Sequence, residues 1–313
     1  MGNGPSKLKE AQRKRFRARN QRESLSSTIC STASRENSSN QWYRFSYGRR
    51  YQNVENPNDE DEMARLQLLH YLVKSSWQSD FSSPIAGQLE SGNCRVLDCG
   101  CGPGTWLMEL GSDNPDSYFT GIDCCPVFPT DIKPRNVEFQ CANILDGLPF
   151  DDDTFDFVHM RFMVGSFTSE QWNFSVIPEL VRVCKPGGFL ECMESDMKWM
   201  HSGPATECLM KTSFSFLASH GIEGIIHPHL HEYLRRTNRL ANIHYAHKNI
   251  PVGKPGELTF QVAQQTLEAS KVHLSEFLQI SHDEYDELIR IACREFEEYK
   301  TMVTMFRFWA QKI

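Results

Sequence analysis

The segment from Cys94 to Trp106 constrains the fold more than any other part of the chain. The apolar stretch Arg95–Cys99 is followed by three glycines at alternate positions and then by a helix-forming sequence; the glycines are Gly100, Gly102 and Gly104. Glycine is needed where the backbone takes a positive φ or passes close to a ligand. A strand, a glycine turn and a helix in this order place a cofactor at the carboxyl end of the first strand of an α/β sheet.

The spacing of the glycines distinguishes between two cofactors. A dinucleotide-binding turn has the pattern G-x-G-x-x-G, and its pyrophosphate lies at the N-terminus of the following helix. Here Thr105 occupies the position of the third glycine, and the pattern is D-x-G-x-G-x-G with Asp98 at its start. A carboxylate repels a pyrophosphate but suits a ligand that carries an ammonium and a sulfonium group. The segment therefore predicts a site for S-adenosylmethionine rather than for a nicotinamide dinucleotide.

The rest of the chain predicts strands that alternate with helices, which is typical of a parallel, doubly wound sheet. We expect strands at Arg95–Cys99, Tyr118–Asp123, Val137–Ala142, Phe155–Met160 and Phe189–Glu194. Helices are expected from about residue 58 to Val73 and near Trp106–Leu110, Thr130–Pro134 and Glu170–Cys184.

The last 110 or so residues are expected to extend this sheet and to add helices. The predicted elements are a helix near Ala205–Ser219, a histidine-rich turn, a strand near Ala241–Ile250, two helices and a terminal strand at Met302–Gln311. The second of the two helices begins with a capping box, Ser281-x-x-Glu284.

Composition indicates a long unstructured segment before the folded part. Eight basic residues and one acidic residue lie between Lys7 and Arg22, and seven serines follow between Ser24 and Asn40. We expect a basic, Ser-rich disordered tail over residues 1–40, a helical lid over 41–90, a cofactor-binding α/β core over 91–200, and helices and strands over 201–313 that complete the same domain. Without the tail, the chain is acidic, so the folded part is not expected to bind nucleic acid.

Cysteine usage and hydropathy bear on the compartment. The chain has 11 cysteines, an odd number, and no C-x-x-C pair, which favours reduced thiols in the cytoplasm or nucleus. It contains no apolar run of 18 residues and no secretory signal, so neither a membrane-spanning helix nor secretion is expected.

The motifs along the chain resemble those of the class I S-adenosylmethionine-dependent methyltransferases. They are most similar to a fungal branch related to trans-aconitate methyltransferases and to methyltransferase regulators of secondary metabolism. The resemblance covers roughly Gly48 to the C-terminus. The motifs that carry it are Gly48–Tyr51, Pro57–Glu60, Val96–Trp106, Gly121–Asp123, Asn143–Ile144, Leu148–Phe150, Val158–Arg161, Lys185–Gly188 and Tyr299–Thr301.

This resemblance implies a fold and an activity. The fold is a seven-stranded, mostly parallel Rossmann-like sheet with an antiparallel terminal strand and a helical C-terminal extension. The activity is transfer of a methyl group to a small-molecule or protein acceptor (EC 2.1.1.-) by in-line displacement, and the acceptor is not identified. Two alternatives remain open at this point: a cofactor-binding regulatory protein with little or no turnover, and a nicotinamide oxidoreductase.

Twelve residues are predicted to contact the cofactor: Tyr51, Asp98, Gly100, Cys101, Gly102, Gly104, Asp123, Cys124, Asn143, Ile144, Met160 and Arg161. The glycine turn and Asp98 are expected near the methionine part. Asp123, which ends the second predicted strand, can accept hydrogen bonds from both ribose hydroxyls. Asn143 and Ile144 are expected near the adenine, and a thiol such as Cys124 is expected to line its pocket.

Several of these residues have a simpler interpretation. Asp123 could be a solvated turn acid, Asn143 an Asx turn, Arg161 the partner of a structural carboxylate, and Tyr51 a packing residue of the lid.

Histidines and acids outside this set give no assigned catalytic residue and no metal site. His159 and Glu194 are weak candidates for a general base, and His159 lies in a predicted strand, where a core histidine is more common. His227-x-His229-x-His231 is interpreted as a surface turn, because metal-ligand spacing with cysteine or carboxylate partners is missing.

The first residues match a lipidation pattern. Met1 to Ser6 read M-G-x-x-x-S, which is typical of N-myristoylation. One acyl chain anchors a protein only marginally, and the basic residues between Lys7 and Arg22 would contribute about 1 kcal/mol each at an anionic membrane. A nuclear import signal over Arg13–Arg19, or a tail without function, is the alternative.

Replacement of Gly2 by Ala tests the anchor, because it removes the acylated amine and leaves the basic residues in place. If the anchor is used, the Gly2→Ala variant moves from the membrane fraction to the soluble fraction in cell fractionation. Equal membrane recovery of the wild type and the variant would remove the anchor, and nuclear accumulation of both would favour the import signal.

Overall fold

The computed structural model describes residues 59–255 and 257–313, together with the backbone of a short antiparallel hairpin. The hairpin consists of β1 (Arg44–Ser46) and β2 (Arg49–Tyr51). The expected tail of residues 1–40 lies outside the described residues, as do residues 41–43, 47–48 and 52–58 of the expected lid, so the domain boundaries stay predictions. No helix in the described part of the chain is long and apolar enough to cross a membrane.

Seven strands form one sheet. They are β3 (Arg95–Cys99), β4 (Tyr118–Asp123), β5 (Val137–Cys141), β6 (Phe155–Arg161), β7 (Cys184–Ser195), β8 (Leu240–Pro251) and β9 (Met302–Lys312). Their order across the sheet is β5-β4-β3-β6-β7-β9-β8. The five strands from β5 to β7 are parallel, and β9 runs antiparallel to both of its neighbours. The expected doubly wound sheet with an antiparallel terminal strand is confirmed.

Helices cover both faces of the sheet and form its C-terminal extension. They are α1 (Glu60–Trp77), α2 (Ala86–Ser91), α3 (Thr105–Asp113), α4 (Ser169–Gln171), α5 (Ile177–Val183), α6 (Pro204–Ser219), α7 (His227–Arg236), α8 (Leu258–Ala269), α9 (Lys271–Leu278) and α10 (His282–Glu298). A π-helical stretch, Trp172–Val176, joins α4 to α5. The side chain of Asp59 caps α1, and the predicted capping box of Ser281 and Glu284 begins α10.

Alternate residues of the central strands enter two separate cores, as the period of two in a strand requires. On β6, Val158 and Met160 pack in a cluster that includes residues of α5 and α7. Phe157, on the opposite face, packs with Trp106 and Leu107 of α3. A third cluster joins α6, α8, α9 and α10. The sheet is therefore covered on both sides, and its ligand site must lie at an edge.

Three expectations about local structure are wrong. Residues 130–134 form bends and no helix, because Pro134 disfavours helical backbone at the residue before it. The histidine-rich segment is not a turn but helix α7, in which Pro228 stands in the first turn and Leu230 and Leu234 are buried four residues apart. Three helices, not two, separate β8 from β9, because α8 ends at Ala269.

A buried ion pair attaches the end of α1 to the sheet. Arg307 of β9 donates to the hydroxyl and the carbonyl of Ser79, at 2.9 Å each, and its guanidinium lies 4.4 Å from the ring centre of Trp77. Glu191 of β7, 3.8 Å from Arg307, accepts the N–H and the hydroxyl of Ser83 at 2.8 Å. Removing either charge would leave the other buried and uncompensated. The pair therefore holds the segment that follows α1 against β7 and β9.

A methyl group at Gly104 is expected to destabilise the protein more than one at Gly187. Both glycines have a positive φ, 74° and 79°, which costs other residues about 1–2 kcal/mol. A Cβ at Gly104 would lie 2.4 Å from Cζ of Phe139, whereas a Cβ at Gly187 would meet nothing within 4 Å. In urea denaturation we expect Gly104→Ala to lose about 1–3 kcal/mol more than Gly187→Ala. Equal losses would contradict this packing of the turn against β5.

Candidate functional site

The predicted site residues lie along the carboxyl edge of three neighbouring strands. The turn from Gly100 to Gly104 follows β3, Asp123 ends β4, and Arg161 ends β6. Because these strands are parallel and β3 stands between the other two, their ends meet at one edge. Ligands of open α/β sheets bind at this edge.

The glycine turn is attached to β4 by its backbone. The N–H groups of Gly100 and Cys101 both donate to the carbonyl of Ile122, at 2.8 and 2.9 Å. All three glycines have a positive φ: 77° at Gly100, 53° at Gly102 and 74° at Gly104. Such a conformation explains why the turn is built from glycine.

The space around the turn differs from one glycine to the next. A Cβ at Gly100 would lie 2.7 Å from Sδ of Met163, so the methionine side chain would have to move to admit it. A Cβ at Gly102 would meet only Cδ1 of Leu66, at 3.6 Å. Gly102 is therefore the member of the turn beside which the most room remains.

Asp123 holds the turn through its side chain. Its Oδ2 accepts the N–H of Gly102 at 2.9 Å, and its Oδ1 accepts the N–H of Cys125 at 2.8 Å. Burial raises the pKa of this carboxyl group, and the two N–H groups oppose the increase. Each carboxylate oxygen has two lone pairs, and the Cys124 side chain also hydrogen-bonds to this carboxylate, so Asp123 retains capacity to accept a hydroxyl donor. The residue faces the glycine turn, and its contact with a ribose stays a prediction.

Asp98 pairs with His159 in the interior. Its Oδ1 lies 2.8 Å from Nδ1 of His159, and the two side chains are 1% and 2% exposed. The ring of His159 stacks on Trp106 with 4.1 Å between ring centres. His159 is therefore a core histidine rather than a general base. Asp98 and His159 are in register on adjacent strands, which explains their contact.

Arg161 links the end of β6 to helix α1. Its Nη2 lies 3.3 Å from Nδ1 of His70, whose Nε2 lies 3.0 Å from Oε2 of Glu109. Lys74 donates to the same Glu109 oxygen at 2.6 Å. Burial and the charge of Arg161 lower the pKa of His70, so its Nδ1 can accept a hydrogen bond from Arg161. Sequence reasoning missed this network, because its members come from three elements with no common motif.

The other predicted contacts reach this edge in different ways. Asn143 is exposed, and its Oδ1 accepts the N–H of Leu145 at 3.0 Å, so it forms an Asx turn. The side chains of Ile144 and Met160 are buried in the hydrophobic cluster beneath the sheet. Tyr51 ends β2, and its side chain lies outside the described part of the structure. Cofactor contacts from these four residues stay predictions.

The two predicted thiols have opposite environments. Cys101 is buried, and burial raises its pKa. Cys124 is exposed, and its Sγ lies 4.0 Å from that of Cys125. The interaction between these two thiols lowers the pKa of Cys124 and raises that of Cys125.

A buried carboxylate near the end of β7 supports the loop after β6. Glu194 accepts the N–H groups of Met163 at 2.8 Å and Val164 at 3.1 Å. Burial raises the pKa of Glu194 to about 8, although both N–H groups favour its ionised form. Because Met163 also contacts Gly100, Glu194 is one residue removed from the glycine turn. Glu194 thus has a clear structural role in positioning this loop.

A second acid follows β7 and pairs with a histidine. Oδ2 of Asp196 lies 2.6 Å from Nδ1 of His227, whose ring stacks on Phe306 with 4.2 Å between ring centres. Oδ1 of Asp196 is buried and has no hydrogen-bond partner within the described ranges. Burial raises the pKa of Asp196, and His227 opposes the increase. Sequence reasoning missed this pair, although the apolar spacing of α7 could have revealed the helix that positions His227.

Comparisons with known proteins identify the family. Residues 96–188 match a family model described as a methyltransferase domain. The N-methyltransferase verN of Clonostachys rogersoniana is 31% identical over 204 residues, which cover 63% of this chain and 68% of that protein. The chain belongs to the class I S-adenosylmethionine-dependent methyltransferases.

Two further relatives of the methyltransferase are matched over little more than half of their own length. The methyltransferase pytC of Aspergillus terreus is 32% identical over 196 residues, which cover 59% of this chain and 56% of that protein. The phosphoethanolamine N-methyltransferase 2 of Haemonchus contortus, solved with S-adenosyl-L-methionine, is 16% identical with a TM-score of 0.45, covering 79% of this chain and 57% of that one. Both verN and pytC come from fungi, which confirms the resemblance drawn from the motifs.

S-adenosylmethionine is the cofactor of this methyltransferase, and the residues at the edge fit it. The ligand carries a ribose diol, a carboxylate and two cationic groups. Asp123 offers lone pairs to hydroxyl donors, Arg161 offers a guanidinium, and Gly102 leaves space beside the turn. The nicotinamide alternative is therefore dropped, and a regulator without turnover is not favoured.

Replacement of Asp123 by Ala is expected to weaken S-adenosylmethionine binding by about 1–3 kcal/mol, the size of a lost hydrogen bond to a charged group. Asp123→Asn keeps one acceptor oxygen and should lose less. Titration calorimetry measures both, with Asp116→Ala as the control, because Asp116 is exposed just before the opposite end of β4. Unchanged affinity in Asp123→Ala would rule out the ribose contact.

Proposed function

We propose that this methyltransferase methylates a nitrogen atom of a small-molecule amine. One observation carries the proposal: a buried oxygen of Asp196 lacks a partner within the described ranges, near the end of β7 and beside the imidazole of His227. Two relatives support the atom type, since verN and tcpN of Claviceps purpurea are both named N-methyltransferases.

The cofactor side is formed by residues of β3, β4 and β6. Asp123 would hold the ribose hydroxyls, and Arg161 would pair with the carboxylate of the methionine part. When bound, S-adenosylmethionine supplies a methyl group already activated on a sulfonium. The protein then has to place the acceptor in line with that methyl and to exclude water, and such positioning can contribute about 7–11 kcal/mol.

The acceptor side is selected by charge. A buried carboxylate oxygen without a hydrogen bond is costly, and an N–H of an amine or ammonium would satisfy it. Burial, and to a smaller extent the charge of Asp196, raise the pKa of Tyr245, so its hydroxyl is protonated and can donate. An acceptor with a carboxylate at this position would be repelled. The site therefore favours a basic acceptor over an acidic one.

His227 is placed to remove the proton that an ammonium acceptor must lose before its nitrogen can attack. Nδ1 of His227 lies 2.6 Å from the carboxylate of Asp196, and an imidazole that carries its proton on Nδ1 has a lone pair on Nε2 with which to accept another. The same carboxylate stabilises the imidazolium that results, and Phe306 fixes the plane of the ring. A general base of this kind contributes about 10²- to 10⁴-fold in rate.

The test begins with the acceptor. We expect full-length protein, incubated with methyl-labelled S-adenosylmethionine and fractionated small molecules from cell extract, to label the basic fraction at nitrogen. With that acceptor, His227→Gln should lower turnover about 10²-fold or more near neutral pH and recover as pH rises, because the amine then deprotonates without a base. Affinity for S-adenosylmethionine should not change.

The matched control is His229→Gln, two residues along α7. The side chain of His229 is 49% exposed and lies 3.5 Å from Glu223, away from Asp196. The His229→Gln variant should retain wild-type turnover at every pH. Label that appears only in ethers, esters or proteins would contradict an amine acceptor, and equal pH profiles for the two variants would contradict the base.

A further inference from the structure

A group of metal-ligating atoms lies beside the glycine turn. The carboxylate of Asp123 and the thiols of Cys124 and Cys125 each offer one ligand atom, and these atoms all lie within 4.8 Å of one another. The two sulfur atoms are 4.0 Å apart. Two thiolates bound to one tetrahedral Zn²⁺ at about 2.3 Å are separated by about 3.8 Å, whereas a disulfide needs about 2.05 Å. The observed spacing is thus close to that of a metal site and far from that of a disulfide.

The backbone already holds these ligands in place. The N–H of Cys125 donates to Oδ1 of Asp123, which forms a tight turn that contains Cys124. The hydrogen bond from Gly102 fixes the other carboxylate oxygen. Since each of these oxygens has a second lone pair, both bonds can persist while the carboxylate binds a cation.

The group is open to solvent on one side. Cys124 is exposed and Cys125 is buried, so an ion can approach from the outside and be held against the protein. Cys141 of β5 is also exposed, and its Sγ lies 3.4 Å from the carbonyl of Cys124. Cys141 stands opposite Asp123 in the register of β4 and β5. Its sulfur lies outside the group of mutually close ligand atoms, so a water molecule is the expected fourth ligand.

We propose that Asp123, Cys124 and Cys125 form a binding site for a soft divalent metal ion such as Zn²⁺, and that this ion and S-adenosylmethionine exclude each other. Thiolate ligands select soft metals over Mg²⁺ and Ca²⁺. Binding deprotonates the two thiols and releases two protons, with no change in oxidation state. The mutual exclusion rests on the proposed function, in which Asp123 binds the ribose, because one carboxylate cannot bind the metal ion and the ribose at the same time. The metal site itself does not depend on that proposed function.

Cobalt titration of the full-length protein tests the metal site. In a buffer with a non-thiol reductant, Co²⁺ should produce the near-ultraviolet charge-transfer absorption of a thiolate-bound ion, at one equivalent per chain, and Zn²⁺ should abolish it. Cys124→Ser, at an exposed position where folding is not at risk, should weaken binding by more than about tenfold, since even outer partners of a metal cost that much.

The control for the titration is Cys208→Ser. Cys208 is an exposed thiol on α6, outside the group, and its loss should leave the absorption unchanged. Absence of the absorption in the wild type, or an equal absorption in Cys124→Ser, would overturn the site.

Competition separates this proposal from the assignment of the cofactor site. Saturating Zn²⁺ should raise the Kd for S-adenosylhomocysteine at least about tenfold in the wild type, in line with a lost charged hydrogen bond, and should leave Cys124→Ser unaffected. Cobalt binding without competition would keep the metal site and overturn the exclusion. Loss of S-adenosylhomocysteine affinity in Asp123→Ala, with no cobalt absorption in the wild type, would keep the cofactor site and overturn the metal site.

Discussion

The carboxylate of Asp123 is the contact on which the arrangement of the site depends. It joins the end of β4 to the glycine turn through Gly102 and to the following residues through Cys125. One side chain therefore accepts hydrogen bonds from two backbone N–H groups, which in a loop would otherwise bind water. The shape of the turn, the position of the thiols and the remaining lone pairs for a ribose all follow from that group. A single residue at a strand end thus organises three segments of the chain.

The second constraint is the burial of charge around the turn. Asp98 and His159 are paired in the core, Arg161 reaches His70, and Glu194 accepts two N–H groups of the loop after β6. Each pairing compensates a group whose isolated burial would be unfavourable. Among the buried polar atoms of the described ranges that have no hydrogen bond, Oδ1 of Asp196 is the only carboxylate oxygen. The proposed preference for an amine acceptor rests on this oxygen.

Sequence reasoning succeeded where local signals and the final structure agree. The bounds of β3 and β4 match the predicted bounds residue for residue. Each strand is a short apolar run with a clear end, at Gly100 for β3 and at Asp123 for β4. The antiparallel β9 and the capping box of α10 were also predicted correctly. The capping box depends on residues three apart, which a single sequence displays directly, whereas the antiparallel direction of β9 was implied by the resemblance to the methyltransferases.

The contacts that define the site could not be predicted in the same way. Whether His159 meets a carboxylate or a ligand depends on which strand lies next to β6, and the pairing with β3 crosses 61 residues. The absence of metal-ligand spacing around His227 predicts a surface turn, whereas the spacing of Leu230 and Leu234 is helical and α7 buries both. Asp196 and His227 meet only because a helix from the extension packs against the sheet at Phe306. Such long-range partners require the topology before they can be named.

The central claim is that Asp123 binds the ribose of the cofactor while it continues to hold the glycine turn. The most direct measurement is a crystal structure of the full-length protein with S-adenosylhomocysteine. We expect both ribose hydroxyls within hydrogen-bond distance of the Asp123 carboxylate, with the N–H of Gly102 still bound to the same group. A ribose seated elsewhere, or a carboxylate turned to solvent in the complex, would contradict it.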